Sequence, residues 1–397
     1  MKSGSSVRPI LVASFIVVFA LCNVVLSGQL TTTINFSEPR VETVNGMHRI
    51  ILQDAMNLGE PGSPSMPSVG IWMALPPGNQ AETAHLDNVV WKSLTGKYTI
   101  EPALFPQRLS DPIVPEVELN NSIYNGTESF PVEQITSLKT HLKRGVSVAT
   151  CLVWPVRWNP VDGSIEYIVS AQLSVEAAPG ELELDSYNRL YKGDSATRSW
   201  AANIVENPDL MGSYPRRDDP EQESILILTA EEFLVQSTDF ADWKTRRGFI
   251  TYVRTVEQII EGSEGVDEAD QIRNGIIEFY ENNDIHYLLM IGDVEFIPHR
   301  GLFGAVNNDP DPDVPADLYF AALDGNWNRD GDADWGEFEE SDLLAELFVG
   351  RIPADSEEEA VRSFGKIISY SDHPVIGNEL MVLMVGEELG WEYMGGD

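Results

Sequence analysis

The sequence predicts an α/β protein in which a β-rich N-terminal part precedes a doubly wound, mainly parallel α/β part. Two observations lead to this fold class. Residues 29–200 hold short apolar runs separated by Pro, Gly and Asn clusters, as in strands joined by turns. After residue 224, apolar runs alternate with amphipathic segments, which is typical of βαβ units. The length of 397 residues suits two or three domains. We divide the chain into a signal peptide (1–28), a β-rich domain (29–207), a linker (208–223) and an α/β domain (224–397).

The N-terminus reads as a secretory signal peptide. Lys2 and Arg8 form a positive region before the apolar run Ile10–Leu21. The prediction is a secreted protein, extracellular or at the cell surface, with no stable membrane span after cleavage. An uncleaved anchor is the alternative, although Ile10–Leu26 is slightly short for a span and contains Asn23.

Charge and cysteine content narrow the possible functions. The net charge of −37 argues against nucleic acid and anionic membranes as partners, because both repel an acidic surface. The excess of negative charge is compatible with cation binding, with life in high salt, or with both. Of the two cysteines, Cys22 falls in the signal peptide, so the mature chain has no partner for Cys151. We expect Cys151 to be a buried structural thiol, since it lies in an apolar run.

The β-rich part contains no catalytic constellation that the sequence reveals. His48, His85 and His141 are scattered and are expected to be structural or surface residues, and Asn120–Asn125 reads as a polar loop. The predicted strands are Thr31–Phe36, His48–Leu52, Val69–Leu75, Val89–Trp91, Val146–Trp158 and Ile165–Val175.

The C-terminal part alternates strands with helices. A helix is predicted after Thr229, with Phe233, Phe240 and Trp243 facing the sheet. Another is predicted over Glu268–Asn283, with Ile272, Ile276 and Tyr280 on one stripe. Ser356 and Glu359 form a capping box that begins a third helix. The predicted strands are Ile225–Leu228, Phe249–Val253, Tyr287–Ile291, Leu318–Leu323, Leu347–Val349 and Leu380–Val385.

The predicted linker, Pro208–Glu223, contains the basic pair Arg216-Arg217 in a polar, proline-containing stretch. Peptidases cut at exposed polar linkers, so the pair is a candidate cleavage site. An ordinary solvated pair is the alternative.

Oxygen-bearing side chains recur at alternate positions of the segment Asp324–Glu337. Counted from Asn326, they occupy the loop positions by which a short loop wraps a hard cation, with Gly331 at the turn. The segment is therefore a candidate Ca²⁺ site, and a solvated acidic turn is the alternative. The candidate ligands are Asp324, Asn326, Asn328, Asp330, Asp332, Asp334 and Glu337.

Further acidic residues follow predicted strands, where the functional groups of open α/β sheets collect. Asp293 and Glu295 come after one strand, and a predicted loop then carries further carboxylates. Cation sites, a substrate-facing rim and solvated loops are all compatible with this pattern. The loop carboxylates are Asp309, Asp311, Asp313 and Asp317.

The ordered set of motifs resembles the gingipain-type cysteine peptidases. In the second part the matching segments are Leu288–Pro298 (LLMIGDVEFIP), Ala316–Asn328 (ADLYFAALDGNWN), Asp330–Asp332, Gly336-Glu337 and Val349–Pro353 (VGRIP). In the first part, Gly59–Pro67 (GEPGSPSMP), Ala74–Gly78 (ALPPG) and Trp154–Pro160 (WPVRWNP) resemble the prodomain of that family.

This resemblance implies a secreted zymogen that cleaves proteins or peptides. A β-rich prodomain would pack on a caspase-like α/β catalytic domain stabilised by Ca²⁺, and Arg216-Arg217 would be the activation site. Catalysis would use a Cys–His dyad. In the family the dyad lies in a second subdomain, and no cysteine follows Cys151. We therefore expect a precursor truncated before its dyad and inactive as given, and we transfer no catalytic role to His286, His299 or His373.

Two other functional classes deserve comparison. A non-catalytic secreted calcium-binding or adhesion protein on the same scaffold is the main alternative. A nucleotide-binding protein is disfavoured, because the sequence lacks G-x-x-x-x-G-K-[ST] and lacks G-x-G-x-x-G between a strand and a helix.

Overall fold

The computed structural model describes residues 28–104, 117–217, 222–306, 309–337 and 340–374. The predicted signal peptide and the predicted strand Leu380–Val385 lie outside the described residues. Within the described ranges, no helix is both long and apolar enough to cross a membrane.

The N-terminal unit is built from two four-stranded antiparallel sheets that share one apolar core. The strands are β1 (Gly28–Asn35), β2 (Arg40–Val44), β3 (Met47–Ile51), β4 (Met56–Leu58), β5 (Met66–Ala74), β6 (Asn79–Leu94), β7 (Ile135–Lys143), β8 (Val146–Val153), β9 (Val156–Trp158) and β10 (Ile165–Pro179). One sheet has the order β1-β10-β6 with β9 added to β10, and the other has the order β4-β5-β8-β7. Residues from both sheets, including Ile34, Met73 and Leu173, form the core between them.

The described residues of this part form three α-helices: α1 (Asn121–Tyr124), α2 (Glu181–Leu190) and α3 (Ser195–Ile204). The first corrects the predicted loop at Asn120–Asn125, since the Asn120 side chain accepts from the Ser122 N–H and caps a single helical turn. Asn, a frequent turn residue, caps helices equally well, which is why composition alone misassigned this segment.

The predicted linker is only partly a linker. Pro208–Ser213 form a 3-10 helix, and the Tyr214 ring is buried against β8. The Tyr214 hydroxyl donates to the Leu75 carbonyl at 2.9 Å and accepts from the Ser147 N–H at 3.0 Å. These bonds fix the chain to the first unit as far as Tyr214. Polar composition predicted exposure, but one buried aromatic residue is enough to anchor the segment.

The C-terminal unit contains the predicted parallel sheet. Its strands are β11 (Ser224–Thr229), β12 (Ile250–Thr255), β13 (Tyr287–Ile291) and, later in the chain, Phe348–Ile352, in the spatial order β12, β11, β13, Phe348–Ile352. All three pairings are parallel. Two apolar cores cover the two faces, as a doubly wound sheet requires.

Three helices described in this unit match the sequence pattern: α4 (Leu234–Arg246), α6 (Glu268–Asn282) and α7 (Glu357–Asp372). The short helix α5 (Val256–Ile260) was not predicted. The predicted faces are confirmed, since Phe233, Phe240 and Trp243 lie in one core and Ile272, Ile276 and Tyr280 in the other. The Ser356 side chain accepts from the Glu359 N–H, but Glu359 accepts from the Asp355 N–H, so only half of the predicted capping box forms.

Two predicted elements of the C-terminal unit differ from the structure. The first is the predicted strand Leu318–Leu323, which is a buried turn that opens with a 3-10 helix over Asp317–Phe320. The buried Arg273 guanidinium donates to the carbonyls of Tyr319, Ala322 and Asp324, which satisfies backbone groups that a strand would have paired. A continuous apolar run shows that a segment is buried, but it does not distinguish a strand from such a turn.

The predicted acidic loop after β13 is a two-stranded hairpin of β14 (Arg300–Val306) and β15 (Asp309–Ala316). Prolines occupy β15, and proline is tolerated where a strand lies at a sheet edge. The parallel strand Phe348–Ile352 is therefore β16.

Candidate functional site

The acidic loop brings three carboxylates together. Single oxygens of Asp330, Glu337 and Glu340 lie within 4.8 Å of one another. Glu340 Oε1 accepts from the backbone N–H groups of Arg329 at 2.7 Å and Asp330 at 3.1 Å, whereas its buried Oε2 has no hydrogen-bond partner among the described residues. Partial desolvation, followed by the charges of Asp332 and its acidic neighbours, raises the pKa of Glu337. The group is therefore rich in negative charge.

Three further predicted ligands, Asn326, Asn328 and Asp332, shape the loop through hydrogen bonds to its backbone. Asn328 Oδ1 accepts from the Gly331 N–H at 2.8 Å, and Asp332 Oδ1 accepts from the Asp334 N–H at 2.8 Å. Asn326 Oδ1 accepts from the Asn328 N–H at 3.2 Å. Gly331 has φ +75°, so the turn falls where the spacing predicted it.

Asp324 lies apart from the loop in a second, buried group. Its carboxylate, with those of Asp342 and Glu346, has oxygens within 4.8 Å of one another. Ser186 Oγ of α2 donates to Asp324 Oδ2 at 3.0 Å. Burial first, and the neighbouring Glu346 second, raises the pKa of Asp324. Burial and Asp342 raise the pKa of Glu346 to about 7. The predicted ligand set is thus divided between two places.

The sequence reasoning missed three acidic residues of these two groups: Glu340, Asp342 and Glu346. Glu346 had a readable signal, since it interrupts the apolar run Leu343–Val349 immediately before a strand. A carboxylate inside such a run is expected to be buried and hydrogen-bonded. Glu340 carried no signal beyond general acidity.

The carboxyl edge of the parallel sheet holds a third acidic group. Asp293 and Glu295 follow β13, as predicted, and they meet Asp355, which follows β16. Desolvation, then repulsion from Asp293 and Glu295, raises the pKa of Asp355. Glu295 and Asp355 are exposed, so this group faces solvent at the edge where ligands of open α/β sheets bind.

The hairpin carboxylates do not join that group as a single rim. Asp317 forms an ion pair with Arg351 of β16 at 2.8 Å, and Asp313 contacts His299 at 3.1 Å. Asp311 Oδ1 accepts from the Asp313 N–H. The side chain of Asp309 lies outside the described residues. Asp317 therefore has a structural partner that the pattern of alternate acids did not reveal.

Cys151 is confirmed as a buried residue. It is 4% exposed, within β8 and the core shared by the two antiparallel sheets. Burial raises the pKa of its thiol to about 11. A thiol that remains protonated at neutral pH and has no solvent access is not a nucleophile.

The two units pack against each other through buried polar contacts. Arg144, in the turn between β7 and β8, is 4% exposed and forms an ion pair with Asp284 at 3.1 Å. The neighbouring Lys143 Nζ donates to the Ala345 carbonyl at 2.5 Å. The Tyr280 hydroxyl of α6 donates to the Leu190 carbonyl of α2 at 2.9 Å. In the first two contacts the first unit supplies the cation, whereas in the third it supplies the carbonyl.

Comparison with family models now identifies the two units. Residues 31–185 match the family described as Propeptide_C25, and residues 218–393 match the peptidase family C25. The chain belongs to peptidase family C25. The β-rich unit is the propeptide, and the parallel-sheet unit carries the match to the peptidase. This confirms the predicted resemblance to gingipain-type precursors, including a propeptide that packs on the peptidase unit.

The C25 chain is also similar to curated gingipains. Gingipain R1 of Porphyromonas gingivalis is 22% identical over 344 residues, which cover 85% of this chain and 31% of gingipain R1. Gingipain R2 of the same species, strain ATCC 33277, is 23% identical over 263 residues, covering 62% of this chain and 30% of gingipain R2. This chain therefore spans about a third of the length of these relatives.

Solved structures of C25 peptidases resemble parts of the chain. The complex of Porphyromonas gingivalis RgpB pro- and mature domains aligns with 15% identity and a TM-score of 0.38, covering 45% of this chain and 93% of that one. The crystal structure of the Arg-specific cysteine proteinase gingipain R aligns with 24% identity and a TM-score of 0.29, covering 40% of this chain and 30% of that one.

Proposed function

We propose that this chain provides the propeptide and the first catalytic subdomain of a secreted cysteine-type endopeptidase with a caspase-like catalytic domain. One observation carries the proposal: the propeptide and peptidase matches fall on two units of different architecture that dock through buried contacts. Proteins or peptides are the proposed substrates. The chemistry would follow a Cys–His dyad, in which a thiolate attacks the carbonyl and the imidazole transfers protons.

The proposed dyad is not formed by the residues that the structure describes. Cys151, the one cysteine among them, lies in the propeptide with a raised thiol pKa. His286 and His299 contact Ser224 and Asp313, respectively. We propose that the nucleophile and its base come from further sequence. In this arrangement the described subdomain provides the scaffold and the carboxyl edge of the parallel sheet, and a second subdomain provides the reacting side chains.

Two measurements test the peptidase proposal. Reading the coding frame beyond the codon for Asp397 should reveal a His and then a Cys in a second α/β half. The 397-residue chain itself should not hydrolyse peptides. Hydrolysis by this chain that a thiol alkylator abolishes would contradict the assignment of the dyad. A stop codon directly after Asp397 would instead favour the alternative, a non-catalytic secreted calcium-binding or adhesion protein.

We also propose that the acidic loop binds Ca²⁺. The donors fit this ion, because Asp330, Glu337 and Glu340 offer hard carboxylate oxygens and Glu340 Oε2 is buried without a partner in the described part of the chain. Asn326, Asn328, Asp332 and Asp334 lie in the same loop and would complete the shell. Bound calcium would neutralise the negative charge of the loop and would hold the loop in one conformation next to the buried turn. Asp324, which belongs to the second acidic group, is not required for this site.

Arg216-Arg217 is proposed as the maturation site of the precursor. The pair lies between the end of the propeptide match at residue 185 and the start of the peptidase match at residue 218. N-terminal sequencing of the naturally matured protein tests this proposal. A mature N-terminus far from this pair would contradict it.

A further inference from the structure

The two arginines of the basic pair have different surroundings. The Arg217 guanidinium forms an ion pair with Asp284, in which the side chains are 29% and 19% exposed. The backbone N–H of Arg217 also donates to the Gly193 carbonyl at 3.1 Å. Arg216, in contrast, is an exposed residue. The two arginines are equivalent in the sequence, but their surroundings differ in the fold.

Asp284 is a shared counter-ion. One of its oxygens contacts Arg217 Nη1, and the other accepts from Arg144 Nη2 of the propeptide at 3.1 Å. Asp284 lies between α6 and β13, at the amino edge of the parallel sheet. The carboxylate thus connects the docked propeptide, the basic pair and the peptidase unit.

An arginine-specific peptidase must take the guanidinium on the acyl side of the scissile bond into its pocket. The peptide bonds after Arg216 and after Arg217 both adjoin the same described backbone contacts, which are the bond from the Arg217 N–H to the Gly193 carbonyl and the bond from the Tyr191 hydroxyl to the Pro215 carbonyl at 2.5 Å. Cleavage after Arg217 requires in addition that its guanidinium leave Asp284. That step leaves the partly buried Asp284 carboxylate without one of its two arginine partners, which is unfavourable.

We infer that Asp284 withholds Arg217 from arginine-specific peptidases, so that the first cut of the docked precursor falls between Arg216 and Arg217. Water adds across that amide bond, leaving a carboxylate on Arg216 and an amine on Arg217. The inference rests on the proposed maturation site only for its biological setting. The difference between the two arginines is a property of the fold.

This choice of bond has a structural consequence for the mature unit. Cutting after Arg216 leaves Arg217 as the first residue of the peptidase unit, still paired with Asp284. When the propeptide departs, it takes Arg144 with it, and Arg217 remains as the counter-ion. Cutting after Arg217 would remove both cations and leave Asp284 without either partner.

The test is limited digestion of the full 397-residue chain with trypsin, followed by mass spectrometry of the new N-termini. The ratio of fragments that begin at Arg217 to those that begin at Asp218 is the readout. A synthetic peptide with the sequence of residues 212–223 gives the ratio in the absence of the fold. We expect the folded chain to favour the cut after Arg216 by about fivefold to tenfold over the peptide, in keeping with a partly buried ion pair.

Two variants distinguish a specific effect of the Asp284 carboxylate from a general loosening of the interface. Asp284→Asn should move the ratio of the folded chain to that of the peptide. Glu281→Gln removes a carboxylate of the same segment that pairs with Arg189 at 2.6 Å, and it should leave the ratio unchanged. Equal ratios for the folded wild-type chain and the peptide would overturn the inference, even if Asp284→Asn did not fold. An equal shift in both variants would also overturn it.

The maturation proposal can fail independently. If the natural mature N-terminus lies elsewhere, the proposed function loses its activation site. The trypsin ratios would still report whether Asp284 protects Arg217.

Discussion

The backbone N–H of Arg144 donates to Glu346 Oε1 at 3.0 Å, which joins the β7–β8 turn of the propeptide to the segment before β16. The other Glu346 oxygen accepts from the Leu323 N–H at 2.6 Å. The Arg144 guanidinium contacts Asp194 at 3.3 Å and Asp284 at 3.1 Å. Buried polar networks of this kind specify one docking geometry, since any shift would leave buried charges unpaired.

Replacing Arg144 should weaken this docking strongly. Arg144→Met keeps much of the side-chain volume but leaves the buried Asp194 without its guanidinium partner and Asp284 with Arg217 as its remaining cation. Breaking a buried pair from one side costs about 3–5 kcal/mol, and we expect a loss of that order in the free energy of unfolding from urea titration. Arg157→Met is the matched control, because Arg157 pairs with Glu166 within the propeptide at a half-exposed site. The control should lose less than about 1 kcal/mol. Equal losses would refute the network.

Two helical glycines should respond oppositely to alanine. A Cβ on Gly275 of α6 would lie 2.0 Å from the Ile259 carbonyl oxygen, so Gly275→Ala must separate α5 from α6 and destabilise the chain. A Cβ on Gly365 of α7 would meet no atom within 4 Å. Gly365→Ala should therefore stabilise by about 0.5–1 kcal/mol through helix propensity. Thermal unfolding of both variants checks this, and a neutral Gly275→Ala would contradict the close helix contact.

Calcium should raise the melting temperature if the acidic loop binds it. A ligand at a hundredfold excess over its Kd contributes about 2.7 kcal/mol of stability. The triple variant Asp330→Asn, Glu337→Gln, Glu340→Gln should lose that calcium response. The charge-matched control replaces three exposed acidic residues near or within α4 (Glu232→Gln, Asp239→Asn, Asp242→Asn) and should keep it. A calcium response that is the same in both triple variants would place the ion elsewhere.

His141 should make the stability of the propeptide unit fall in mild acid. Burial, then the charge of Lys139, lowers the pKa of His141 below its ordinary value of 6.5, while the smaller effect of Asp342 acts in the opposite direction. The unfolded chain therefore binds a proton first, and the contribution present above pH 6.5 is lost as pH falls below it. The neutral ring contacts Thr150 Oγ1 at 3.0 Å. Compared with His141→Gln, the wild type should lose stability between pH 7 and 5. Parallel pH profiles of the two proteins would rule this out.

Cys151 should resist alkylation in the folded chain. Its thiol pKa of about 11 leaves very little thiolate at pH 8, and the surrounding core excludes the reagent. Iodoacetamide should modify the peptide that contains Cys151 rapidly in urea and at least 100-fold more slowly in buffer, as peptide mass mapping would show. Fast modification of the native chain would mean that the β8 core opens readily.

Local pattern was sufficient for much of the fold. The parallel strands β11, β12 and β13 and the buried faces of α4 and α6 follow directly from apolar periodicity. Prediction failed at Leu318–Leu323, where the Arg273 guanidinium replaces the hydrogen bonds of a sheet. It failed again at the Asp309–Ala316 segment, where pairing with β14 turns an acidic, proline-containing stretch into a strand. Both failures involve partners that are distant in sequence.

The candidate site shows the same division. The spacing of oxygen-bearing residues predicted the acidic loop and its turn at Gly331, which depend on neighbours within a few residues. The division of the acidic residues into two groups depends on burial, because Asp324 joins Glu346 only after the chain has folded around Arg144.

The sequence by itself determined the succession of a β-rich unit and a parallel α/β unit, the resemblance to a known family, and the position of a basic pair between the two units. Those features depend on residue type and local spacing, which a linear pattern records. Only the tertiary structure decided how the units meet and that Asp284 distinguishes Arg217 from Arg216. Ion pairs and burial bring together residues that are far apart in the chain, and no local pattern specifies which of many acidic residues an arginine will contact.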